Sequence, residues 1–123
     1  MIKKILVLED DQDILYVVQE VLEYERFLVK GISNCQEVLK LGEEFVPDLF
    51  LLDFRLQDGN GGEVCRDLKS HPLFAATPVI IFSAYAQKNI DFSAYGCDGV
   101  IEKPFDLDQL IEMVNLLLTK TSV

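Results

Sequence analysis

Ile5-Leu6-Val7-Leu8, Leu49-Phe50-Leu51-Leu52 and Val79-Ile80-Ile81-Phe82 are strand-length runs that are apolar without interruption. A strand with no polar face must be covered on both sides, which favours a mainly parallel sheet sandwiched between helices over a half-solvated antiparallel one. The intervening sequence supplies the helices. Ile14, Val17, Val18, Val21 and Leu22 recur at helical spacing after the first run, with Asp11 or Asp13 placed to cap the helix. Phe27 to Ile32 reads as a second strand, followed by a helix through Val38, Leu39 and Leu41 that is capped by Ser33 with Gln36 or Asn34 with Glu37 and ended by Gly42 or the approach to Pro47.

The glycine-rich turn at residues 59–62 precedes a short helix carrying Val64, Cys65 and Leu68, and Gly99-Val100-Ile101 supplies a fifth strand. Asp106 with Gln109 forms a capping box for a last helix whose stripe is Leu107, Leu110, Ile111, Val114, Leu117 and Leu118. That stripe reads as core first, although a partner groove can share such a helix. Between Ser83 and Gly96 the apolar residues fit no clean stripe, and a short, weakly anchored helix is expected there.

With 123 residues, half of them hydrophobic, the chain has enough material for one core and one domain. Its 11 basic and 21 acidic residues leave a net charge of −10, which repels phosphate backbones and anionic lipid, so no direct nucleic-acid binding and no membrane insertion are expected. Cys35, Cys65 and Cys97 have neither paired spacing nor a nearby His, which argues against a disulfide framework or a zinc site and favours a cytoplasmic location. His71, the only histidine, precedes a proline in a polar connection and reads as a solvated loop residue.

In a sheet of this kind ligands sit beyond the carboxyl ends of the strands, where the winding reverses. The first strand ends in Glu9-Asp10-Asp11, the third in Asp53, the fourth in Ser83 and the fifth in Lys103. One carboxylate is enough to cap a helix. Gathering Glu9, Asp10 and Asp53 beside that cap is unfavourable unless a proton or cation relieves the repulsion. Hard oxygen ligands without His or Cys select Mg²⁺, an ion that usually works with phosphate. Asp53 as nucleophile, Lys103 as fixed cation and Ser83 as hydrogen-bonding group would suit phosphoryl transfer to a carboxylate.

The ordered motifs Ile5-Leu6-Val7-Leu8-Glu9-Asp10-Asp11, Pro47-Asp48-Leu49-Phe50-Leu51-Leu52-Asp53, Pro78-Val79-Ile80-Ile81-Phe82-Ser83-Ala84 and Lys103-Pro104-Phe105 resemble those of a response-regulator receiver domain of two-component signalling. The resemblance implies an α/β, flavodoxin-like (βα)5 three-layer sandwich with a five-stranded parallel sheet in the order 2-1-3-4-5. It implies that residues 1–123 form a single receiver domain with no effector or output domain, although a receiver cut from a larger regulator would look the same. Asp53 would be the phosphoacceptor. Mg²⁺ would be bound by Asp10, Asp53 and the backbone carbonyl of Arg55, with Glu9 acting through a metal-bound water. Ser83 and Lys103 would hold phosphoryl oxygens, helped by the backbone N–H groups of Phe54 and Ala84, and the Lys103-Pro104 bond would be cis. The implied partners are a histidine kinase or histidine phosphotransfer protein and a downstream protein target, with the chain a monomer or weak dimer.

Four departures from the family pattern stand out. Val100 replaces the aromatic residue usual three positions before the lysine; the Ser83 to Lys103 span is a residue or two short; Gln57 stands where proline is common; and Arg55 and Tyr85 flank the phosphoryl position. The stretch from Ala84 to Tyr95, with Tyr85 and Phe92, is accordingly expected to carry the switch in place of Val100. Two other readings are a magnesium-dependent phosphatase or phosphotransferase with an aspartyl-phosphate intermediate, and a phosphorylation-independent interaction module. The first generally wants an acid two residues after the nucleophile, where this chain has Arg55.

Overall fold

The computed structural model of the chain describes residues 1–83 and 91–121. In chain order its elements are β1 (Lys4–Leu8), α1 (Gln12–Tyr24), β2 (Leu28–Ile32), α2 (Val38–Phe45), β3 (Leu49–Asp53), β4 (Arg55–Leu56), β5 (Gly59–Asn60), α3 (Gly61–Ser70), β6 (Val79–Ser83), β7 (Gly99–Glu102) and α4 (Leu107–Thr121). Short 3₁₀ turns lie at Cys35–Glu37 and Phe92–Tyr95. The main sheet is parallel throughout, in the order β2-β1-β3-β6-β7, which is the expected 2-1-3-4-5 when its own five strands are counted. The glycine-rich turn contains more structure than the sequence suggested: β4 and β5 form a separate antiparallel hairpin just past β3.

The uninterrupted apolar strands divide their side chains between two cores, as alternation along a strand requires. Ile5, Val7, Leu49, Leu51, Ile80 and Phe82 face α1 and α4, where Val18, Leu22, Leu110 and Val114 meet them. Leu6, Leu8, Phe50, Leu52, Val79 and Ile81 face the other way, onto Val38, Val64, Cys65, Leu68 and Phe74. The predicted stripe of α1 is rotated slightly in the structure: Leu15 is buried, whereas Val17 is 45% exposed. On α4, Leu107 is likewise exposed at 39%.

The helix starts follow local chemistry. Asp11 Oδ1 accepts the N–H groups of Asp13 and Ile14 at 3.0 and 3.2 Å, Asn34 caps the Cys35–Glu37 turn, and Asn60 caps α3. Asp106 Oδ1 accepts the Asp108 N–H at the head of α4. α2 runs through Gly42 and stops before Pro47, where Val46 takes a left-handed conformation. These caps fix where each helix enters, and thereby leave the ends of β1, β3 and β6 open at one edge of the sheet.

Candidate phosphoacceptor site

Glu9, Asp53 and Ser83 are the buried polar residues of the described chain. Each lies at the carboxyl end of a central strand. The Glu9 N–H continues the β1–β2 ladder by donating to the Ile32 carbonyl, which carries its side chain inward behind Asp10. Asp53 closes β3 opposite Phe82, and Ser83 stands one step further along β6. Lys103 follows β7; its N–H donates to the Ser83 carbonyl at 2.9 Å, and the Lys103-Pro104 peptide is cis as expected.

The side chains converge. Lys103 Nζ donates to Glu9 Oε1 at 2.9 Å and to Asp53 Oδ1 at 3.1 Å, and it lies 4.8 Å from the centre of the Phe82 ring. Glu9 Oε2 also accepts the Asp11 N–H at 3.2 Å, while the half-buried Asp10 accepts the Gln57 N–H on Oδ2 at 3.0 Å. One ligand oxygen from each of Glu9, Asp10 and Asp53 lies within 4.8 Å of the others.

Burial pushes the Glu9 carboxyl up to about 7, with a hydrogen bond to Asp53 adding to the shift and Lys103 opposing it. Burial alone would lower the Lys103 pKa, but its hydrogen bond to Glu9 and the negative charges of Asp53 and Glu9 hold it above the ordinary lysine value. The ammonium is therefore a permanent charge of the pocket, whereas one of the carboxylates can hold a proton. The donor set consists of hard carboxylate oxygens without sulfur or imidazole, and Asp10 gives access from solvent. Those features fit a small divalent cation of the Mg²⁺ type.

Arg55 begins the hairpin beside Asp53, with its own register partner at Asn60. One implied role is not borne out: the Phe54 N–H donates to the Phe82 carbonyl at 3.1 Å and so belongs to the sheet ladder. Ala84, Tyr85 and most of the expected helix before Gly96 lie outside the described residues. Within them, Val100 is half-buried against the second core, and Phe92–Tyr95 is a 3₁₀ turn with Phe92 buried. His71 is less free than its sequence context suggested. Its Nε2 lies 3.0 Å from Glu43 Oε2, and its Nδ1 accepts the Leu73 N–H.

All three cysteines are free, and burial raises each thiol pKa, to about 12 for Cys35 and Cys65. Sequence reasoning assigned Ile14, Val17 and Leu107 to core stripes, but with Pro104 and Phe105 they line an apolar groove of about 580 Å³ that also touches Lys103. No helix among the described residues is long and apolar enough to cross a membrane.

A doubly wound sheet with a carboxylate trio and a fixed lysine at its switch point defines a phosphoacceptor type of α/β protein. The response regulator receiver domain profile matches residues 5–115, and the chain belongs to that family, the phosphoacceptor modules of two-component signalling. It is 31% identical over 119 residues to the response regulator ArlR of Staphylococcus saprophyticus, covering 95% of this chain and 53% of that protein. It is also 31% identical over 122 residues to the phosphate regulon transcriptional regulatory protein PhoB of Rhizobium meliloti, covering 98% and 54%. The chain thus spans about half the length of the curated relatives it matches. Among solved structures, a CheY-like response regulator receiver domain protein from Methanospirillum hungatei superposes with a TM-score of 0.88 at 31% identity, covering 98% of this chain and 97% of that one.

Proposed function

We propose that Asp53 is the phosphoacceptor, taking its phosphoryl group from a phosphohistidine on a histidine kinase or histidine phosphotransfer protein. A carboxylate oxygen of Asp53 attacks phosphorus while the P–N bond breaks, and the electron pair of that bond leaves with the imidazole nitrogen. The observation that carries this reading is the burial of Asp53 at the end of β3, 3.1 Å from the Lys103 ammonium and beside two further carboxylates. Asp10, Asp53 and the Arg55 carbonyl, with Glu9 behind them, would hold Mg²⁺, which supplies Lewis-acid neutralisation of the phosphoryl oxygens when bound. Lys103 holds a phosphoryl oxygen by charge, and the Ser83 hydroxyl holds another by hydrogen bonding.

The domain is a regulatory switch and not a turnover enzyme: its phosphorylation and dephosphorylation are self-catalysed at one side chain. The groove formed by Ile14, Val17, Pro104, Phe105 and Leu107 supports a protein donor, because it offers apolar contact immediately beside the pocket. A downstream protein reads the changed conformation, the chain acts as a monomer or weak dimer, and the setting is the cytoplasm. Intact-mass measurement after incubation with Mg²⁺ and acetyl phosphate tests the central assignment. One added phosphoryl group on the wild type and none on Asp53→Asn is expected; equal labelling of both overturns it.

A further inference from the structure

We propose that the backbone N–H of Gln57 is a positioning group for the cation site, holding Asp10 in its ligating orientation and tying that carboxylate to the β4–β5 hairpin. The inference rests on the Mg²⁺ site proposed above. Asp10 Oδ2 accepts the Gln57 N–H at 3.0 Å, a contact between residues 47 apart in sequence. A carboxylate has two oxygens and about four lone-pair positions, so one N–H on Oδ2 leaves Oδ1 and part of Oδ2 available to a cation.

Asp10 has particular need of such support. Glu9 and Asp53 are buried and held by Lys103, whereas Asp10 is half-exposed and is not bonded to that ammonium. The supporting hairpin is itself anchored on its far side, where the Asp58 carboxylate accepts the Cys35 N–H at 3.1 and 2.9 Å. Those backbone N–H groups, Cys35 first and Gln36 also, hold the Asp58 carboxyl below its ordinary value. Gln57 therefore presents its N–H from a loop clamped at Asp58, and the same loop contains Arg55, whose carbonyl is the proposed fourth oxygen of the site. Proline, common in the family at this position, has no N–H to give. The departure noted in the sequence is thus a gained hydrogen bond, made by the backbone and independent of the glutamine side chain.

The test separates backbone from side chain. Mg²⁺ affinity is measured by calorimetry for the wild type, Gln57→Ala and Gln57→Pro, with circular dichroism as the check on folding. Gln57→Ala keeps the N–H and should bind within about twofold of wild type, while Gln57→Pro should bind about tenfold more weakly, the lower end of the range for losing an outer-shell partner of a metal ligand. Equal affinity of a folded Gln57→Pro, or a tenfold loss in Gln57→Ala, overturns the inference. Amide exchange of the metal-free chain gives a second measurement that does not depend on the proline variant folding: the Gln57 amide should be protected in the wild type and lose that protection in Asp10→Ala. An unprotected Gln57 amide in the wild type overturns the inference as well. Absence of Mg²⁺ binding by the wild type would instead defeat the metal-site reading on which it rests.

Discussion

Gly61 opens α3 directly against the end of β3 that carries Asp53, and its replacement by alanine tests how tightly the site is built into the fold. A Cβ at this position would lie 2.2 Å from the Asp53 carbonyl oxygen, 3.0 Å from the Asp53 carbonyl carbon and 3.3 Å from Leu52 Cβ. The Gly61 N–H meanwhile donates to the Phe54 carbonyl at 2.8 Å, so the head of α3 cannot retreat without giving up that bond. The obstruction is the backbone of a central strand, and relieving it needs a shift of about 1 Å. Overpacking of this kind costs about 3 kcal/mol, against a gain of about 1 kcal/mol from placing alanine instead of glycine in a helix. The net expectation for Gly61→Ala is a loss of about 2 kcal/mol, or roughly 8 °C in Tm for a domain of this size. Gly62→Ala is the control: its Cβ would meet the Tyr95 ring at 2.7 Å, and a half-buried side chain can turn aside. Urea unfolding followed by circular dichroism in metal-free buffer measures both. A Gly61→Ala protein as stable as the wild type, or a Gly62→Ala protein that loses more, would refute the reasoning.

Lys103→Met should fold but label with acetyl phosphate at least about a hundredfold more slowly, because the fixed charge at the phosphoryl position is gone; labelling at the wild-type rate with native circular dichroism counts against the role. The pH response follows from Glu9, whose carboxyl is raised from 4.5 to about 7 in the fold. Between those values the folded chain keeps a proton that the unfolded chain has released, so metal-free stability falls as pH rises across the window, by up to about 3 kcal/mol. Urea titrations at pH 5 and pH 8 should show that fall, and Mg²⁺ should raise Tm more at pH 8 than at pH 5, since the cation no longer competes with a proton. A Mg²⁺ shift that is equal at both values would dissociate Glu9 from the cation site.

The parts of this architecture legible in the sequence are those that depend on period and position. Apolar runs such as Leu49 to Leu52 allow no exposed face, and the acids that follow them must emerge at strand ends; hence the parallel sheet, the Glu9–Asp10–Asp53 cluster and the place of Lys103 could be anticipated, whereas the strand order followed only from the family resemblance. What remained hidden depends on helix rotation and on backbone partners. Val17 and Val18 carry the same side chain on adjacent residues, yet Val18 is fully buried while Val17 is 45% exposed in a groove. The difference of about 100° between neighbouring residues of a helix is within the tolerance of any periodic pattern. Likewise the Phe54 N–H looks available in the sequence but is engaged by Phe82, and the Gln57 N–H, which no side-chain motif reports, is the one that reaches Asp10. The edge-to-face packing of Phe54 on Phe92, with ring centres 5.0 Å apart, links the residue after Asp53 to the Phe92–Tyr95 turn in a way that spacing could not reveal.

The electrostatics of the pocket and of the whole chain lead to the same kind of donor. Two carboxylates, Glu9 and Asp53, share one ammonium and Asp10 stands beside them, so with every group ionised the local charge is negative, and the fold relieves it by raising Glu9 until a proton is held near neutral pH. A pocket already balanced by a second lysine would be more stable and would have little use for a divalent cation. On the function proposed above, the unrelieved charge would draw a cation into the site, and the cation in turn would make it receptive to a phosphoryl group. Outside the pocket, however, a chain with a net charge of −10 repels anionic phosphates as they diffuse toward it. Long-range steering therefore works against a small phosphodonor, and only short-range contact can hold the donor in place. The groove between Ile14, Val17, Phe105 and Leu107 supplies such contact beside Lys103, from apolar area that is insensitive to the sign of the donor's charge. On this account a docked protein carrying a phosphohistidine overcomes a repulsion that a free phosphate ester meets unaided.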